Sequence, residues 1–480
     1  QFVANGETEM LTLADVLEGL TGVRPSALER RPTEVVVDSR LVSRDGVFVA
    51  LPGEQADGHD YVADALARGA AIALIRRPVE AAAPVVDLTV SPPALPETWS
   101  LPVLLKVPDP LVALQQLSAF WRRRHSPRVI GITGSVGKTT TKELIADVLS
   151  RRYRTLKSEK SYNNEIGLPL TLLRLTPDTE RVVLEMGMYD VGEIAHLAEI
   201  ALPHVGVVTI IGPVHLERLG SMERIIQAKT ELVQALPPAP EGVAILNYDD
   251  PNVLGMRAAT KARVFTYGLS PEADLWADGI EGLGLEGVRF RLHYRGETLH
   301  VRIPLLGRHS VHTALRAAAV GIMEGLTWQE ILEGMTAPSS QLRLVAVPGP
   351  RGSTLLDDTY NASPPSMLAA LNLLDELEGR KIAVLGDMLE LGDYEQEGHE
   401  KVGLRAMEVV DILITVGPRG RIIGETARRW GMSADRVHIL DDNQAAIRLL
   451  EGLVQTGDII LVKGSRAMRM EEIINALSQG

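Results

Sequence analysis

Cysteine is absent from this 480-residue chain, which excludes disulfides, thiolate nucleophiles and cysteine-held zinc and fits a reducing compartment. Lysine is scarce, with ten residues against 39 arginines. No membrane insertion is expected: the longest apolar run, Val205 to Val214, is broken by Gly206 and Pro213 and falls well short of the ~20 residues that cross a bilayer. An excess of positive charge is also lacking. The net charge of −13 argues against a nucleic-acid partner, whose phosphates call for a basic face, while leaving room for a local basic pocket. Gln1 to Leu13 carries Glu7 and Glu9 and no basic start, so no secretion signal is read and a soluble, cytoplasmic protein is expected. Two nucleotide signatures are missing as well: Gly-x-Gly-x-x-Gly, the dinucleotide fingerprint, and Asn-Lys-x-Asp, which reads guanine.

What is present is an ordinary globular balance, 45% apolar and 23% charged residues, over a length that implies two to four domains. The chain is organised around Val129-Ile130-Gly131-Ile132-Thr133-Gly134-Ser135-Val136-Gly137-Lys138-Thr139-Thr140. An apolar strand enters a glycine turn and a helical pattern leaves it. That order puts successive backbone N–H groups at a helix N-terminus, where the dipole favours anions. Lys138 can reach terminal phosphates and Thr139 can hold a magnesium ion. The strict phosphate-loop form has glycine five places before Gly137; here that place is Ile132, and Gly134 stands three before.

Three α/β segments are expected. Residues 1–106 alternate short apolar runs (34–37, 47–51, 71–75) with a helical pattern over 61–70, a small α/β domain, and the proline-rich stretch 84–108 reads as a linker or edge segment. Residues 107–337 have the rhythm of a doubly wound parallel sheet with strands at 129–133, 181–185, 205–211 and 243–247, and a strand-rich piece at 274–304. Residues 338–480 repeat the rhythm with buried strands starting at Leu355, Lys381, Ile412 and Ile459. Ligands gather at the carboxyl ends of such strands. There stand the Asn163-Asn164 turn, Glu185 ending an apolar strand, and His215 after Val205 to Val214.

A triphosphate needs a divalent ion, and Mg²⁺ prefers oxygen ligands. Thr139 and Glu185 are the natural donors, since a buried carboxylate is costly without a cation. His215 is either an ordinary loop histidine or a ligand of a second ion. The residues therefore point to an ATP–Mg²⁺ enzyme of phosphoryl transfer; a P-loop hydrolase and an inert nucleotide-binding module are the rival classes.

Beyond the loop, Asn163-Asn164-x-x-Gly167-x-Pro169, Glu185-Met186-Gly187, His215-Leu216-Glu217, Gly307-Arg308-His309, Asp357-Asp358-Thr359-Tyr360-Asn361-Ala362-Ser363-Pro364, Gly386-Asp387-Met388-Leu389-Glu390-Leu391-Gly392 and Lys463-Gly464-Ser465-Arg466 follow in order. In these the chain resembles the Mur ligase family over essentially its whole length, and most of all its D-alanyl-D-alanine-adding branch. The resemblance implies a UDP-binding first domain, a central ATPase-type domain and a Rossmann-like C-terminal ligase domain. It implies a monomer that joins D-alanyl-D-alanine to UDP-N-acetylmuramoyl-tripeptide through an acyl phosphate, using ATP and Mg²⁺. Gly134, Ser135, Val136, Gly137, Lys138, Thr139 and Thr140 would hold the phosphates; Asn247, Asp250, Arg343 and Asp358 match positions near adenine, ribose and γ-phosphate. Thr139 and Glu185 would hold one Mg²⁺, His215 a second, and Lys229 matches a carbamylated lysine that supports the metal. Asp38, Ser39, Arg40 and Phe48, with Asn163 and Asn164, would serve the UDP-precursor, and Asn361, Ser465 and Arg466 the dipeptide. His59 and His399 also match recurrent positions, where plain loop roles are equally open.

Overall fold

The computed structural model describes residues 10–478 except 29–32, 54, 55, 92, 160, 161, 214, 215 and 337–343. Packing divides the chain into two compact units, one of residues 1–131, 153–187 and 193–204, the other of 132–152, 188–192 and 205–480. Among the described residues no helix is long and apolar enough to cross a membrane.

The first unit opens with the helix Leu13–Thr21. Thr12 and Asp15 cap it reciprocally, satisfying N–H groups that have no partner within the helix, and Gly22 ends it in the left-handed region at φ 76°. Asp15 then accepts ion pairs from Arg24 at 2.5 Å and from Arg124 at 3.1 Å, tying this helix to the long helix Pro110–Arg123. Five parallel strands follow the order Val35–Val36, Val47–Val49, Ile72–Ile75, Val103–Lys106, Val85–Asp87. The stretch expected to be a linker or edge thus supplies an edge strand and also an interior one. Pro102 and Pro108 flank the four-residue run Val103–Lys106 and disguise it as connection. In the same unit Thr155–Lys157 pairs in parallel with Arg181–Glu185.

The strand Arg128–Thr133 carries the chain into the second unit. There six strands follow the order Val205–Val208, Val243–Asn247, Arg263–Gly268, Leu275–Gly282, Val288–Tyr294, Glu297–Ile303. The first four run parallel and the last three form an antiparallel meander, so the strand-rich piece contributes three strands. The helix Lys138–Leu149 packs beside Trp328–Thr336 with almost no gap: a Cβ on Gly334 would lie 2.5 Å from Val148 Cα. A second sheet has the order Val345–Pro348, Thr354–Asp358, Ile459–Lys463, Lys381–Leu385, Ile412–Val416, Val437–Leu440, all parallel but the first pair. One apolar cluster, with Met367, Leu371, Val402 and Ile423, covers one face. Another, with Ala446, Leu450, Ile473 and Leu477, covers the other. Helices on both faces of a parallel sheet make this region doubly wound, as the buried strand runs require.

Candidate active site

The turn after Arg128–Thr133 is shaped by two glycines. Gly137, at φ 84°, is the N-cap of the helix Lys138–Leu149, a conformation that costs glycine little and other residues more. Gly134, at φ 140°, lies against Thr209: a Cβ there would run into Thr209 Oγ1 and stand 3.0 Å from Thr209 Cβ. Thr209 N donates to Thr133 O at 2.9 Å and Thr209 Oγ1 to Val136 O at 2.7 Å. Ser135 N donates to Ile210 O at 2.7 Å, while Ser135 Oγ donates to Gly212 O at 3.0 Å and accepts from Gly212 N at 2.9 Å. The loop is therefore held along one side by the segment 209–212. Lys138 Nζ reaches back to Gly134 O at 2.9 Å, so its ammonium spans the loop. Val136, Thr139 and Thr140 are partly exposed, leaving the loop accessible to a ligand.

Asn247 and Asp250 stand behind that supporting segment. Asn247 Nδ2 donates to Thr209 O at 3.2 Å, and Asp250 Oδ2 accepts from Ile211 N at 2.8 Å. Asp250 Oδ1 caps the helix Pro251–Gly255 through Asn252 N at 3.0 Å. Both side chains thus brace the loop's neighbour from inside the protein, where they are 4% and 9% exposed. Tyr267, fully buried, donates its hydroxyl to Thr209 O at 3.0 Å. His312 Nε2 and Asp249 Oδ2 lie 2.8 Å apart. Burial alone would raise the Asp249 pKa, but the His312 imidazole and the Leu269 N–H outweigh it and hold the carboxyl below its ordinary value.

The second sheet brings its own strand ends to this unit. Asp358 and Lys463 are register partners on adjacent strands and form an ion pair at 2.8 Å, with Lys463 only 2% exposed. Lys463 Nζ also donates to Asn361 O at 2.8 Å, leaving the Asn361 side chain exposed. Ser465, 3% exposed, accepts from Leu389 N at 2.9 Å and fixes the turn. Arg466 is exposed, its guanidinium 5.3 Å from the Tyr360 ring centroid. Two elements of the unit meet near the loop: a Cβ on Gly212 would touch Pro365 Cγ at 3.4 Å.

In the first unit, Glu185 is 1% exposed and accepts from Asn163 Nδ2 at 2.9 Å. Gly187 N donates to Asn163 O at 2.8 Å, so Asn163 steadies the strand end. Asn164 Oδ1 accepts from Gly167 N at 2.9 Å and starts the helix Gly167–Leu172. Asp38 accepts from Arg40 N at 3.0 Å and pairs with the Arg40 guanidinium at 2.6 Å; Ser39 is 5% exposed. Phe48 is 1% exposed and packs with Val62, Ala65 and Ile75. Its apolar ring belongs to the core of the sheet. Lys229 is 1% exposed within the helix Met222–Gln234. His215 and Arg343 lie outside the described residues. Among the described residues no three His, Asp or Glu side chains gather into a metal-binding group.

The two recurrent histidines share one architecture. His59 Nε2 accepts from Arg76 N at 3.0 Å with Nδ1 at 2.6 Å from Asp57 Oδ1. His399 Nε2 accepts from Met388 N at 3.0 Å with Nδ1 at 2.7 Å from Glu395 O. Each imidazole stitches a backbone N–H to a nearby acceptor. Three residues absent from the expected site matter to its geometry: Thr209, Lys463 and Arg316. Lys463 was legible as a cation ending an all-apolar strand; Thr209 and Arg316 sit inside ordinary-looking segments.

Residues 32–122 match the Mur ligase family catalytic domain, 132–321 the Mur ligase middle domain, and 342–466 the Mur ligase glutamate ligase domain. The UDP-N-acetylmuramoyl-tripeptide–D-alanyl-D-alanine ligase of Mycobacterium bovis is 38% identical, with 97% of both chains covered. The crystal structure of MurF from Acinetobacter baumannii superposes with a TM-score of 0.84 at 30% identity, covering 98% of this chain and all of that one. The MurF ligase from Thermotoga maritima, solved in complex with ADP, gives 0.76 at 26% identity, covering 96% and 98%.

Proposed function

The chain belongs to the Mur ligase family, and from that premise we propose how its residues carry the chemistry. It is an ATP-dependent carbon–nitrogen ligase that adds D-alanyl-D-alanine to UDP-N-acetylmuramoyl-tripeptide in the synthesis of peptidoglycan precursors. The observation that carries this reading is a glycine loop at a helix N-terminus, Gly134 to Thr140, within a chain that matches such a ligase over 97% of its length. The γ-phosphoryl group of ATP passes to the carboxylate that ends the tripeptide, giving an acyl phosphate and ADP. The amine of D-alanyl-D-alanine attacks the acyl carbon, gives up a proton and expels phosphate, leaving the amide.

Within that sequence the loop N–H groups and the helix dipole bind the phosphates, and Lys138 stabilises the charge that spreads over the transferring group. Thr139 and Glu185 would offer the oxygen donors that Mg²⁺ prefers, His215 would serve a second ion and Lys229, as its carbamate, would support the metal; such ions would offset the triphosphate charge. Glu185 and Lys229 are both buried, each 1% exposed. Asn247 and Asp250 shape the adenosine side by bracing 209–212, with Arg343 and Asp358 toward ribose and γ-phosphate. Asn361 and Arg466 take the dipeptide, whose carboxylate suits an exposed guanidinium, and Ser465 fixes their turn. Asp38, Ser39 and Arg40, with Asn163 and Asn164, serve the UDP-precursor. Residues 1–106, 107–337 and 338–480 form the precursor, ATP and ligase domains. The enzyme works as a monomer in the cytoplasm, where ATP is supplied.

Incubation with ATP, Mg²⁺, a UDP-muramoyl-tripeptide and D-alanyl-D-alanine tests the reading by weighing the product. A mass increased by the dipeptide less one water is expected, with one phosphate released per bond. Phosphate release that ignores both peptides would place the chain among hydrolases, and nucleotide binding without release would leave an inert module.

A further inference from the structure

Arg316 sits in the helix Ser310–Met323 and is 5% exposed. Its Nη2 donates to Thr313 Oγ1 at 2.9 Å and its Nη1 to the Tyr267 hydroxyl at 3.4 Å. Both acceptors are neutral. Its Nε is buried without a hydrogen-bond partner, and no carboxylate among the described residues forms an ion pair with it. The Tyr267 ring lies 5.7 Å from the guanidinium carbon, so the buried cation meets two hydroxyls and an aromatic face but no anion, a costly arrangement for a fold to keep.

The neighbour that answers this charge is the phosphate loop. Arg316 Nη2 stands 3.4 Å from where a Cβ on Gly137 would be, and Gly137 is the N-cap of the helix Lys138–Leu149. A bare glycine leaves the guanidinium room to approach. Tyr267 connects the two independently: it accepts from Arg316 and donates to Thr209 O, while Thr209 Oγ1 holds Val136 O inside the loop. An anion held by the loop would bring the negative charge that Arg316 lacks, beside donors already oriented toward it.

We propose that Arg316 is a nucleotide-binding residue whose guanidinium completes the phosphate loop and takes a phosphate of bound ATP or ADP as its counter-ion. Thr313 and Tyr267 are positioning residues that hold the guanidinium fork in place. The proposal rests on the reading of this loop as the nucleotide site and adds to it a cation from outside the loop.

Titration calorimetry with ADP on the wild type, Arg316→Met and Arg316→Lys tests it, alongside melting of the same proteins without nucleotide. Arg316→Met is expected to bind ADP about tenfold more weakly, the loss of one charge-assisted contact. Its nucleotide-free melting should be no lower than that of the wild type, because the uncompensated cation is gone, and Arg316→Lys should recover part of the affinity. Wild-type ADP affinity in Arg316→Met overturns the proposal. If Arg316→Met melts early, Arg316→Lys decides: better ADP binding than the Met variant supports the counter-ion role, and no improvement overturns it. A wild type that binds no ADP overturns the nucleotide reading itself, whatever the variants do.

Discussion

Replacing Gly134 by alanine tests the loop where it is tightest. The new methyl group would run into Thr209 Oγ1 and stand 3.0 Å from Thr209 Cβ and 3.1 Å from Thr209 N, at a φ of 140° that side chains rarely adopt. Backbone strain of this kind costs about 1–3 kcal/mol. Thr209 must also swing away and release its 2.7 Å hydrogen bond to Val136 O, a further ~1 kcal/mol. Together these give about 2–4 kcal/mol of destabilisation, concentrated where the phosphates bind. Urea unfolding followed by circular dichroism reads the stability, and phosphate release reads the activity. In Gly134→Ala with Thr209→Ala the hydroxyl clash is gone but the strained φ remains, so only part of the loss should return. A Gly134→Ala protein with the wild-type midpoint and undiminished turnover would refute the close approach of Gly134 and Thr209.

Lys138→Ala should slow ATP-dependent phosphate release by about 10²–10³-fold or more, since a cation aimed at developing charge is lost; near-normal turnover removes Lys138 from the mechanism. Lys229→Ala should be inactive yet folded, with partial rescue by short carboxylic acids that replace the carbamate; absence of rescue in a folded protein counts against that role. His399 is fully buried with Nε2 accepting a backbone N–H, and burial pushes its imidazole pKa below the ordinary value against the pull of the Glu395 carbonyl. The unfolded chain therefore takes up this proton first, and the stability His399 contributes is lost as pH falls below about 6.5. His399→Gln should shrink the drop in urea midpoint between about pH 7 and pH 5; an unchanged drop would mean that other groups set it.

Most strands were legible because they are buried on both faces and read as unbroken apolar runs, as at Val243–Asn247 and Ile459–Lys463. Val103–Lys106 was hidden by its flanking prolines, and the edge strand Val345–Pro348, half-exposed and ending in proline, has no pattern of its own. The glycine loop could be read because its geometry demands particular residues at Gly134 and Gly137. Arg316 could not, because its meaning comes from a helix more than 170 positions downstream folding against that loop. The burial of Phe48 was legible, since an aromatic ring between the apolar neighbours Val47 and Val49 on an interior strand gains more by burial than by exposure.

The position of Ile459–Lys463 between Thr354–Asp358 and Lys381–Leu385 bears on how the protein is made. A ribosome synthesises both flanking strands more than seventy residues before the one that joins them, so the growing polypeptide carries two unpaired ladder edges until Ile459–Lys463 is made. Lys463 arrives with that joining strand, and Asp358 gains this partner only then. A premature stop upstream of Ile459 should yield a product with open edges, prone to sticking to its own kind, rather than a shortened but orderly enzyme.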